Sequence, residues 1–199
     1  VGQKNIYIIA GCNGAGKTTA SYTILPDILN CREFVNADEI AKGLSPFQPD
    51  KVAFEAGRIM LQRMDELIRM GVSFAFETTL AAKTYHGKMD LAKGAGYQIS
   101  LVYFWLESVE LAKARVKMRV KAGGHDIPDE VIKRRFYRGI HNLFELYLQS
   151  VDNLLIFDNS EGKHELLAQK KPDEAIDVLN LSKFNQIKVC YEWQKKMGI

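Results

Sequence analysis

The chain has no apolar run near the roughly 20 residues that a membrane-spanning helix needs, and its first residues lack a charged segment followed by a cleavable apolar one. A soluble, cytoplasmic protein with no membrane partner is the expectation. Cysteine is scarce: Cys12, Cys31 and Cys190 are odd in number and have no metal-type spacing. That argues against the disulfide framework of a secreted domain and suits a reducing compartment. A dominant charge is missing too, since 27 Lys and Arg face 24 Asp and Glu for a net +3. Any basic surface must then be local, and global charge gives no reason to expect nucleic acid. There is no internal repeat, low-complexity tract or interdomain linker. With 199 residues and 47% hydrophobic content, a single domain over 1–199 is expected.

What is present begins with "NIYIIAGCNGAGKTT", an apolar run, then glycines, then a lysine and two hydroxyls. The run reads as a buried strand, and a helix must start near Lys17. Gly11, Gly16, Lys17 and Thr18 satisfy G-x-x-x-x-G-K-[ST] in the strand, loop, helix context that the pattern requires. The physics is specific: amides of Gly11, Asn13, Gly14, Ala15, Gly16, Lys17, Thr18 and Thr19, with the free donors of a helix N-terminus, form a concave cradle for phosphate oxygens. Lys17 reaches the β- and γ-phosphates of ATP, and the Thr18 hydroxyl ligates Mg²⁺. Cys12 is a small spacer in this loop.

Further along, "EFVNAD" reads as a strand ending at Asp38, and Pro46 and Pro49 break the following segment. Residues 51–70 read as a long amphipathic helix with Val52, Ile59, Met60, Met64, Leu67 and Ile68 on its apolar face and Gly71 as its cap. Strands at "VSFAFETT", "QISLVYFWL" and "NLLIFDNS" follow, separated by helices, one of them capped by Ser108. The tail closes with a helix in "LSKFNQIKVCYEWQKKM". Five strands alternating with helices predict an α/β fold: a five-stranded, mainly parallel sheet with helices on both faces, ligands lying beyond the strand C-terminal ends.

Three groups fall at those ends. Asp38 can accept the proton of an attacking hydroxyl, although Asp is also a favoured helix cap. Glu77, Thr78 and Thr79 interrupt an apolar strand; Glu77 needs a partner, either a substrate or metal-bound water, or a structural mate in Lys17 or Arg58. Asp158 and Asn159 either touch the nucleotide or form a turn. Between residues 111 and 138 lie nine Lys and Arg against three acidic residues. Two cationic helices joined by a loop with Gly123, Gly124 and Pro128 suggest a lid over about 115–138 that closes on polyphosphate. Arg115, Arg119, Arg134 and Arg135 are the pool for stabilising a transferring phosphoryl group. His125 in the loop either meets phosphate or has no role.

The ordered set "GCNGAGKTT", "FVNADEIAKGLSPF", "FAFETTL", "GGHDIPDEVIKRRF" and "LIFDNS" resembles the zeta-toxin family of P-loop kinases, in its chromosomal branch, over residues 5–160. The resemblance implies an adenylate-kinase-like, three-layer fold. It also implies ATP-dependent phosphorylation of a small-molecule hydroxyl, UDP-N-acetylglucosamine in founding members, and a small helical antitoxin as partner. By position it makes Lys17 and Thr18 the phosphate-loop pair, Asp38 the base, and Glu77 with Thr79 the substrate contacts. Arg115 matches the first lid arginine of the family. The second is replaced by His125, with Arg134 or Arg135 supplying the charge from one helical turn away.

A kinase is thus the first reading. The alternatives are a nucleotide-driven switch or ATPase acting on a protein partner, which could dispense with Asp38, and a polynucleotide end kinase. Against the last, Phe136 and Tyr137 are adjacent on a helix and make a poor stacking platform.

Overall fold

The computed structural model describes residues 2–197. Its sheet has seven strands in the order β2-β3-β1-β4-β5-β6-β7. The first five by chain position, β1 (Lys4–Gly11), β2 (Phe34–Val35), β3 (Phe74–Thr78), β4 (Tyr97–Trp105) and β5 (Asn153–Asp158), run parallel. Two more, β6 (Glu165–Lys170) and β7 (Asp177–Val178), add antiparallel at one edge. The sequence predicts five strands, so this is a correction. Strand β7 is only two residues long, and β6 is hidden by a bulge: the β5/β6 register shifts between Ile156 and Phe157, leaving Leu167 as the extra residue. Consecutive Leu167 and Ala168 are then both fully buried, which erases the period-two pattern a strand would otherwise show.

Helices α1 (Lys17–Thr23), α2 (Ala37–Leu44), α3 (Ala53–Met70), α4 (Thr84–Gly94), α5 (Val109–Lys121), α6 (Asp129–Asn142), α7 (Leu148–Ser150) and α8 (Leu181–Met197) flank this sheet. Helix α3 starts after a 3₁₀ turn at Pro49–Val52. It buries Ala56, Met60, Met64 and Leu67, while Ile59 is turned outward. Gly71 at φ 69° ends it in the left-handed region, as a glycine cap should. The Ser108 side chain accepts from the Leu111 amide at 3.1 Å and caps α5.

Two local features position the site. Strand β2 stops at Val35, three residues before the sequence-predicted end, because the Asn36 side chain accepts the Asp38 amide at 2.8 Å and starts α2 there. Asp38 therefore rides on the first turn of a helix rather than on a strand end. Since Asn36 does the capping, the Asp38 carboxylate is left free of that task. Helix α6 is pressed onto the end of β3: a Cβ on Gly139 would lie 2.6 Å from the Thr79 carbonyl. The Asn142 amide nitrogen donates to the Leu80 carbonyl at 2.6 Å. This close approach carries the α6 arginines to the sheet's C-terminal edge. Among the described residues no helix is long and apolar enough to cross a membrane.

Candidate active site

The loop between β1 and α1 has the backbone its glycines permit. Gly14 and Gly16 sit at φ 80° and 83°, where a side chain would be strained. A Cβ on Gly16 would also stand 2.6 Å from Asn159 Nδ2. That amide donates to the Ala15 carbonyl at 2.8 Å, so the end of β5 braces the loop from outside. Lys17 is almost wholly buried; its ammonium donates to the Cys12 carbonyl at 3.0 Å and lies 3.5 Å from Glu77 Oε1. Burial pushes the Cys12 thiol up to about 11, which fits a spacer and not a nucleophile.

Glu77 is the hub. Its Oε2 accepts from Thr18 Oγ1 at 2.8 Å and from Asn36 Nδ2 at 3.0 Å, while Oε1 faces Lys17. Of the partners predicted from sequence, Lys17 is the one Glu77 pairs with, not Arg58. The carboxylate is thus tied to both residues that would meet nucleotide and metal. Thr78 is buried, its hydroxyl accepting the Leu80 amide at 3.0 Å, so it shapes the turn after β3.

A cavity of about 380 Å³ opens beside these groups, lined by Asn13, Lys17, Asp38, Glu77, Thr79 and, from α6, Arg134, Arg135 and Arg138, among others. Arg135 Nη1 donates to Asn13 Oδ1 at 3.2 Å, tying α6 to the phosphate loop. Burial pulls the Arg135 guanidinium down from its ordinary value while the Asp38 carboxylate opposes the shift. A larger hollow, about 690 Å³, lies at the β2 edge beside α2 and α3 and touches no part of the phosphate loop.

Not every sequence candidate reaches the cavity. Arg115 turns aside and donates to the Ser160 carbonyl at 2.8 Å, and Arg119 donates to the His125 carbonyl at 3.2 Å. Neither lines the cavity, and neither does His125. Positions 115 and 119 are one turn apart on α5 and share the face toward the β5 turn and the 122–128 loop. Thr19, on α1, is exposed. Sequence reasoning missed Arg138, Tyr85 and Asn36, all of which line the cavity. Helical spacing could have found Arg138, three and four residues beyond Arg135 and Arg134. Nothing in the sequence singles out Tyr85. Phe136 and Tyr137 pack edge-on at 5.3 Å, and Tyr137 lies against Trp193 of α8 at 5.9 Å, so both are committed to packing.

A parallel sheet, a glycine loop opening onto a helix, and a cationic helix facing that loop define the P-loop kinase class of fold. A sequence model of the family described as Zeta toxin matches residues 2–171. An uncharacterised protein of Haemophilus influenzae Rd is 31% identical over 134 residues, 67% of this chain and 94% of that protein. The AvrRxo1-ORF1:-ORF2 structure with ATP superposes with TM-score 0.76 at 20% identity, covering 93% of this chain and 63% of that one. This chain thus spans under two thirds of that protein's length. The toxin–antitoxin system PezAT of Streptococcus pneumoniae gives TM-score 0.66 at 14% identity, covering 98% and 86%. The chain belongs to the zeta toxin family.

Proposed function

We propose that the protein is an ATP-dependent kinase that transfers the γ-phosphate to a hydroxyl of a small molecule, with UDP-N-acetylglucosamine the leading acceptor and another sugar or nucleotide metabolite the next. The observation that carries this reading is the shared cavity: Lys17 from the phosphate loop, Asp38 from α2 and three arginines from α6 line one hollow of about 380 Å³. A base without a phosphate loop, or a phosphate loop without a base, would fit a different chemistry.

The amides of residues 11–19 hold the phosphates, and Lys17 leaves Glu77 for the β- and γ-oxygens. Asp38 accepts the acceptor's proton as its oxygen bonds to the γ-phosphorus and the bond to the β-phosphate oxygen breaks, leaving ADP. Arg134, Arg135 and Arg138 stabilise the charge spread over the transferring group. Mg²⁺ needs few protein ligands, because phosphate oxygens and water complete its shell. The available donors suit it: the Thr18 hydroxyl and the Glu77 carboxylate, 2.8 Å apart, are both hard oxygen ligands. When bound, the ion would offset charge on the β- and γ-oxygens.

The whole chain acts as one domain, with residues about 115–138, from within α5 through the 122–128 loop into α6, as the lid that excludes water. The likeness in fold to PezAT, described as a chromosomal toxin-antitoxin system, supports a small protein antitoxin as partner. The test is mass spectrometry of a metabolite pool incubated with enzyme and ATP. A product heavier by one phosphate, formed only with ATP, is expected. ATP consumption that no metabolite accelerates would favour the switch or ATPase reading instead.

A further inference from the structure

The family match ends at residue 171, yet α8, at residues 181–197, reaches back to the turn that follows β5. Lys183 on its first turn places Nζ 2.6 Å from Asp158 Oδ2 and 2.7 Å from Glu165 Oε2. Asp158 ends β5 with its side chain only 4% exposed. Its other oxygen accepts the Ser160 amide at 2.8 Å and the Ser160 hydroxyl. That turn has two further attachments: Asn159 Nδ2 donates to the Ala15 carbonyl of the phosphate loop at 2.8 Å, and the Ser160 carbonyl accepts from Arg115 Nη2 of α5 at 2.8 Å. The Asn159 amide, bonded to the Trp105 carbonyl at 3.0 Å, fixes the same turn to β4.

We propose that Lys183 is a positioning residue for the nucleotide site, acting through Asp158 to hold the Asp158–Asn159–Ser160 turn against the phosphate loop and Arg115. This rests on the kinase reading, because the loop's task is taken to be phosphate binding. The electrostatics fit the geometry. A nearly buried carboxylate needs a counter-charge, and Lys183 is the cation that meets Asp158 among the described residues. Hydrogen bonds from Lys183 and Ser160 hold the Asp158 carboxyl below its ordinary value, against the upward push of burial. The two carboxylates raise Lys183 in turn. Glu165 is exposed, so its share of the pair is screened; the bond to Asp158 is the one that transmits. Without it, Asp158 would draw water or turn outward, and Asn159 and Ser160 would follow their neighbour.

The experiment is titration of a fluorescent ATP analogue into full-length wild type, Lys183→Met, Lys183→Arg, Glu165→Gln and the double variant Asp158→Asn/Lys183→Met, each checked by circular dichroism. Lys183→Met should weaken binding by about tenfold with the fold retained. Lys183→Arg should recover most of that loss, and Glu165→Gln should bind like wild type. The double variant should bind no worse than Lys183→Met alone, since the two residues act as one unit. In turnover assays the loss should appear in the KM for ATP more than in kcat. Wild-type affinity in Lys183→Met, with only a lowered unfolding temperature, overturns this inference and leaves the kinase reading standing. A wild-type chain that binds no nucleotide overturns the phosphate-loop reading and this inference with it. If Lys183→Met fails to fold, Lys183→Arg against Asp158→Asn decides: equal wild-type affinity in both overturns it, and weakened binding in Asp158→Asn alone supports it.

Discussion

Replacing Glu77 by Gln removes one negative charge and nearly nothing else. Its carboxylate and the Lys17 ammonium are 10% and 7% exposed, 3.5 Å apart. In the variant the ammonium keeps the Cys12 carbonyl at 3.0 Å but loses its counter-ion, and if the new amide keeps its oxygen toward Thr18 and Asn36, its NH2, a donor only, faces the Lys17 ammonium. Breaking one half of a nearly buried pair costs about 3 kcal/mol. For a chain of this length that corresponds to an unfolding temperature lower by about 6–12 °C. Glu39→Gln is the control: its pair with Lys42 is also a Lys–Glu contact but roughly half exposed, so the shift should stay under about 2 °C. Differential scanning fluorimetry reads both. Inorganic tripolyphosphate should stabilise Glu77→Gln more than wild type, because Lys17 no longer has to leave a carboxylate to meet it. A Glu77→Gln shift no larger than that of Glu39→Gln would refute the claim that this carboxylate organises the site.

Gly16→Ala combines a left-handed backbone at φ 83° with a Cβ only 2.6 Å from Asn159 Nδ2. It should cost about 1–3 kcal/mol in urea unfolding and weaken ATP-analogue binding by at least tenfold on the order-of-magnitude scale of lost backbone positioning; unchanged binding would contradict the described brace. The Cys12 thiol, pushed up to about 11 by burial from an ordinary 9.0, should resist iodoacetamide in the native protein at neutral pH, and ready alkylation of this residue would show it is not buried. Because the unfolded thiol ionises first, its contribution to stability is whole below pH about 9 and declines as pH rises toward about 11. Urea titrations of wild type against Cys12→Ala across that window check the sign.

The phosphate loop was legible because its glycines, lysine and hydroxyl form a contiguous pattern, and the parallel core because β1, β3, β4 and β5 are apolar runs. The limits were equally physical. Strand β6 was missed because a bulge at Leu167 removes alternation, and β7 because its two residues, Asp177–Val178, are too few to show a period. Asp38 was misplaced because Asn36 and Asp38 are both good helix caps, and which one caps depends on backbone geometry that sequence spacing does not give. The arginines of α5 and α6 split by position: 134, 135 and 138 line one cavity with Asp38 because Gly139 lets α6 sit on the end of β3, a tertiary contact. Arg115 and Arg119 look equivalent to them in composition and point elsewhere. The network through Lys183 joins residues 25 positions apart, beyond the reach of any local pattern.

In the proposed reaction Asp38 takes the acceptor's proton above a nucleotide held by the phosphate loop. Its most direct test is the rate of product formation by Asp38→Asn beside its affinity for ATP. Near wild-type affinity is expected, with phosphorylated product slowed by on the order of 10²–10⁴-fold. Product formed at the wild-type rate would contradict it.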